Sequence, residues 1–103
     1  MISKWSETAT ADNAAATATH AAESGNAHYV TGVSGSFSAA AIKLLTLKDG
    51  STIIGNYHVH NQRDIVFDEP LRITSGAAVV VSLAASGSAG VIGAVVVTGF
   101  TTG

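Results

Sequence analysis

The chain contains no cysteine, one proline, one tryptophan and few charges. Each shortage removes a class of protein. Without cysteine there is no disulfide framework, no thiolate zinc site and no thiol redox switch. Charged residues make up 12% of the 103 positions, about half the usual share. Five Lys+Arg against seven Asp+Glu leave a formal charge of −2, and Lys4, Lys43, Lys48, Arg63 and Arg72 form no basic run. Binding to nucleic acid by neutralising phosphates is therefore not expected. Residues Met1 to Ala22 hold no apolar run of the kind a secretory leader needs, so no leader is read there. Nothing after Arg72 is charged, and Ala77 to Val97 has the length of a membrane span. Its middle is Ser86-Gly87-Ser88-Ala89-Gly90, a turn signal between β-branched runs. Two buried strands joined by a turn are expected there, and no membrane association.

What the chain does have is small side chains. Ala, Gly, Ser, Thr and Val supply 62 residues, and Leu, Ile, Val and Phe together 26. That apolar share is enough for one folded domain. Composition changes near residue 26. Between Ser3 and Asn26 the only large apolar side chain is Trp5. Such a segment buries too little surface to offset its ordering entropy alone, so residues 1–26 are expected as an extended arm that orders on a partner.

Residues 27–103 read as a β-domain. His28 to Phe37 places Tyr29, Thr31, Val33 and Phe37 on one face at period two, with Gly35 marking a bulge or a close backbone approach. Ile42 to Lys48 and Ser51 to Val59 flank Asp49-Gly50, a hairpin signal. Ile53, Gly55, Tyr57 and Val59 then share one face, and Ile54, Asn56, His58 and His60 the other. Asn61 to Asp64 reads as a loop, and Ile65 to Phe67 as a short strand stopped by Asp68-Glu69-Pro70. Ala77 to Leu83 and Val91 to Phe100 are the last strands, apolar enough to require cover on both faces. The expected fold is all-β, an antiparallel β-sandwich of jelly-roll type carrying the N-terminal arm.

Few residues suggest chemistry. His58 and His60 lie two apart on a strand, so both imidazoles point the same way, with Asp64 and Asp68 nearby in sequence. A cupin strand would add a third histidine downstream, and none follows His60. The pair is read as lining a solvent face or a subunit contact. His20 and His28 are read as partly exposed polar residues in or near the arm. No nucleophile elbow or phosphate loop is present, and no enzyme activity, metal or cofactor is expected. Trp5 reads as an arm anchor and Tyr57 as a half-buried strand residue. A monomer with so little charge would expose large neutral patches, which association covers. The uncharged segment from Ile73 to Gly103 is the expected contact with a symmetry mate, through Val79, Val81, Val95 and Val97. Trp5, Tyr57, His58, His60 and Arg63 complete the expected interface.

The runs His28 to Ser38 (HYVTGVSGSFS), Leu44 to Ile65 (LLTLKDGSTIIGNYHVHNQRDI), Phe67 to Thr74 (FDEPLRIT) and Ser82 to Phe100 (SLAASGSAGVIGAVVVTGF) resemble small virion proteins of tailed bacteriophages. The resemblance implies a β-sandwich that decorates or cements the capsid shell, made in the bacterial host cytoplasm and placed on the capsid surface. It implies a homotrimer whose arms grip the major capsid protein. The alternative within that resemblance is a receptor- or glycan-binding head of a tail or collar fibre, where Tyr57, Asn61, Gln62 and Arg63 would matter.

Overall fold

Alternation of small apolar and hydroxyl side chains organises the whole chain. The computed structural model describes residues 2–102; Met1 and Gly103, the outer limits of the expected arm and domain, lie outside them. Eight strands follow in order: β1 (Ile2–Asp12), β2 (Ala16–His20), β3 (Ala27–Phe37), β4 (Ile42–Asp49), β5 (Thr52–His60), β6 (Gln62–Arg72), β7 (Val79–Leu83) and β8 (Ile92–Thr102). They form two four-stranded antiparallel sheets, β1-β8-β3-β6 and β2-β7-β4-β5. The pairings are nested: β1 with β8, β2 with β7, β3 with β6 and β4 with β5. A long hairpin rolled across two sheets gives this order, so the sandwich is a jelly roll. Its radius of gyration is 13.5 Å.

The core lies between the sheets. Leu45, Leu47 and Leu83 fill its centre with Val30, Val59 and Ile73. Val79, Val81, Val95 and Val97 are all 0% exposed. These four valines were expected at a subunit contact; instead they face the opposite sheet of the same chain. Burial of each such side chain stabilises the fold by about 1.5–3 kcal/mol. The outward residues of the same strands, Val80, Val96 and Thr98, are half-buried or exposed.

The N-terminal segment is not an arm. β1 pairs with β8 from Ile2↔Thr102 to Asp12↔Ile92, and β2 pairs with β7 from Ala16↔Leu83 to His20↔Val79. Each is an edge strand, one per sheet. Trp5, Ala9 and Ala11 pack against the core, and Ala16 and Ala18 lie within it. Alanine suffices because the sheets approach closely at this side of the sandwich. Lys4, Ser6, Thr8 and Thr10 point to solvent, the alternation a half-buried strand requires.

The Ala77–Val97 stretch folds as expected, as β7, a turn and β8. Among the described residues, no helix is long and apolar enough to cross a membrane. Gly50 has φ 61° and closes the β4–β5 hairpin. Asn61, at φ 60°, turns β5 into β6 without the longer loop expected there. β6 then continues past Asp68-Glu69-Pro70 to Arg72, although its pairing with β3 skips from Val66 to Leu71. Proline lacks the N–H a central ladder needs and is tolerated because β6 is an edge. The register of β3 shifts between Val30 and Gly32. That bulge breaks the expected face: Val33 is buried, whereas Tyr29 and Thr31 are only half-buried. Gly35 is a close approach, since a Cβ there would lie 3.3 Å from Val59 Cγ2.

Gly99 carries the tightest constraint. A Cβ on it would run into the Tyr29 carbonyl and the Trp5 indole. Gly99→Ala is expected to destabilise the domain by about 3 kcal/mol, the upper range for overpacking. A melting curve unchanged by that substitution would show that Trp5 of β1 does not pack against Gly99 of β8 as described.

Candidate functional site

Three regions of the surface combine position with chemistry. The first is the end of the sandwich where β1 starts and β8 finishes. The indole of Trp5 stacks on the His20 ring, centroids 4.0 Å apart and planes 8° from parallel. The His28 ring meets both edge-on, 4.6 Å from His20 and 5.9 Å from Trp5. His20 Nδ1 lies 2.8 Å from Glu7 Oε2, and its Nε2 lies 3.7 Å from Glu23 Oε2. His28 is 1% exposed, with Nε2 2.8 Å from the Ala21 carbonyl and Nδ1 2.6 Å from Thr101 Oγ1.

Those hydrogen bonds assign the tautomer. The Ala21 carbonyl only accepts, so Nε2–H donates to it. Nδ1 then accepts the Thr101 hydroxyl proton, while Trp5 Nε1–H donates to Thr101 Oγ1 at 3.0 Å. A buried histidine with both nitrogens engaged meets the usual requirement for buried polar groups. His20 is partly exposed, as expected, whereas His28, expected to be so too, is buried beneath the Trp5 and His20 rings. His20, Glu23 and His28 are the one group of metal-ligating type that converges among the described residues.

The second region is the outer face of the β1-β8-β3-β6 sheet. The register aligns Thr8, Val96, Ser34 and Asp64 in one row, and Ser6, Thr98, Gly32 and Val66 in the next. Apart from Asp64 at the edge, these rows carry no charge. Gly32 has no side chain, so a shallow groove opens between Val66 and Thr98. Val66 is 82% exposed, the most exposed large apolar side chain among the described residues. Thr31 and Thr98 hydrogen-bond to each other at 3.0 Å, which lowers the cost of taking them out of water.

The third region spans β5 and β6. Tyr57 is half-buried, as expected, and its ring tilts against Phe67 across the open side of the sandwich at 6.5 Å. The Arg63 guanidinium lies 5.8 Å from the Tyr57 ring centroid and donates to the His58 carbonyl at 3.1 Å. Tyr57, His58 and Arg63 are therefore neighbours. His58 and His60 are both exposed on the outer side of β5. No carboxylate joins them in a converging group among the described residues; Asp64 and Asp68 lie on the other sheet. His60 borders a hollow with Ala40 to Lys43 and Asn61.

Trp5, Tyr57, His58, His60 and Arg63 thus do not form one surface. Trp5 belongs to the imidazole cluster, and the others to β5 and β6. The cluster itself escapes a sequence reading because its bonds join residues as far apart as Trp5 and Thr101. The legible signal was limited to two histidines flanking the Glu23 to Asn26 corner. No family model, curated protein or solved structure matches the chain.

Proposed function

We propose that this chain is a structural virion protein of a tailed bacteriophage, a capsid decoration protein that binds the outer shell and stabilises the head. On this reading it is made in the bacterial host cytoplasm, assembles as a homotrimer and binds the major capsid protein. Its work is binding, not turnover. The likeness of the quoted sequence runs to phage virion proteins supplies the setting, including the trimer. The observation that carries the reading is the charge-poor centre of the outer face of the β1-β8-β3-β6 sheet, around Val66, Val96 and Thr98, with Lys4, Asp64 and Arg72 at its margins. Small, mutually bonded hydroxyl and valine side chains are removed from water at low cost, and a flat sheet face admits close approach of another subunit. Many modest contacts repeated over a shell add up through multivalency.

Val66→Asp tests the face. The side chain lies in solvent, so the melting temperature is expected to stay within the small range of surface substitutions. Light scattering after size exclusion should give three times 10.3 kDa for the parent chain and 10.3 kDa for the variant. An association state unmoved by Val66→Asp would remove this face from the interface. Sedimentation with purified heads tests the partner: the protein should pellet with them. Binding to immobilised glycans with no binding to heads would favour the fibre-head alternative, with Tyr57 and Arg63 as the contact.

A further inference from the structure

We propose that His20, Glu23 and His28 form a binding site for a divalent transition-metal ion, with Zn²⁺ as the defining probe. The inference is independent of the virion reading. Its basis is the arrangement around both imidazoles. Ligating histidines characteristically hold one ring nitrogen on an oxygen and present the other to the ion. His20 does this as it stands: Nδ1 is held by Glu7 Oε2 at 2.8 Å, and Nε2 faces Glu23. His28 Nδ1 is likewise held, by Thr101 Oγ1 at 2.6 Å.

Thr101 makes the second ligand available. In the unliganded form its hydroxyl donates to His28 Nδ1, and His28 Nε2–H donates to the Ala21 carbonyl. A hydroxyl both donates and accepts. When Nδ1 carries the ring proton instead, Thr101 Oγ1 accepts from it and from Trp5 Nε1–H together. His28 Nε2 is then unprotonated, and its lone pair is available to an ion that takes the place of the Ala21 carbonyl as its partner. The exchange moves one proton between the two nitrogens of the same ring; it releases the Thr101 hydroxyl hydrogen and the Ala21 carbonyl from their bonds to His28, a cost the metal–nitrogen bond must exceed.

Distances and charge agree. The ligating atoms of the three residues lie within 4.8 Å of one another. Zinc bonds of about 2.0–2.2 Å bring tetrahedral ligand atoms to within about 3.5 Å. The His20 Nε2 to Glu23 Oε2 separation of 3.7 Å is already close to that. Glu23 is exposed in the corner between β2 and β3, so its carboxylate can move toward both imidazoles. Glu23 and Glu7 together balance a divalent charge. Two imidazoles and one carboxylate suit Zn²⁺ and its neighbours in the first transition row better than Mg²⁺ or Ca²⁺. The ion would tie β2 of one sheet to β3 of the other, with Trp5 of β1 stacked on one of its ligands.

Tag-free protein stripped with chelator and titrated with ZnCl₂ tests this. One ion per chain is expected by calorimetry, with a change in the fluorescence of Trp5, the sole tryptophan. A hundredfold excess over Kd should raise the melting temperature by about 10 °C. Glu23→Gln alters an exposed corner side chain and keeps the fold; it should weaken binding by at least about tenfold. The double variant His58→Ala/His60→Ala should bind as the parent does. Absence of any Zn²⁺-dependent shift in the parent would overturn the site. So would binding that survives Glu23→Gln unchanged, or that is lost with His58 and His60.

Discussion

Removal of residues 1–12 is expected to abolish folding rather than to free the domain of an appendage. β1 pairs with β8 along its whole length, from Ile2 to Asp12. Its loss opens the edge of β8 and withdraws Trp5, Ala9 and Ala11 from the core. It also takes the Trp5 donor from Thr101 and the Glu7 partner from His20. A domain of this size holds about 5–15 kcal/mol of total stability. Loss of a full strand, with its ladder and its packed side chains, is of that order. Circular dichroism with heating should show no cooperative transition for the truncated chain. A truncated chain that melts cooperatively near the parent temperature would mean that the segment is dispensable to the sandwich.

Val97→Asp should be comparably severe. Val97 is 0% exposed and belongs to the same buried core as Val95, Val81 and Leu83. A carboxylate there has no partner, and an unpaired buried charge costs several kcal/mol even after its surroundings relax. The contrast with Val66→Asp is informative because both exchange the same atoms. At Val66 the change should alter association and leave the fold, whereas at Val97 it should alter the fold itself. If Val97→Asp gave a soluble, cooperatively folding monomer, the valine would belong to a subunit contact, as the uncharged C-terminal segment first suggests.

The sandwich is legible in the sequence because its signals are local. Asp49-Gly50 marks a hairpin, the alternation of β5 sorts Val59 inward and His58 outward, and Ser86 to Gly90 separates two apolar strands. β1 and β2 are illegible for a physical reason. Their inward residues are mostly alanines, and alanine at a narrow part of the core looks like low-complexity filler when only side-chain size is read. The four valines invert in the same way. An uncharged tail suggests contact with another subunit, but the inward half of an alternating strand is satisfied by its own opposite sheet. Only the outward half, Val96 and Thr98 among it, is left for a partner. The imidazole cluster depends on β8 returning beside β1 and β3, which no local pattern announces.

The place of the protein on the particle tests the proposed function most directly. Phage particles purified by density gradient would be labelled with gold-conjugated antibody raised against the folded domain and viewed by electron microscopy. Label distributed over the head surface, in many copies per particle, is the expected result. Particles that carry no label, or label confined to the tail or collar, would contradict a capsid decoration role.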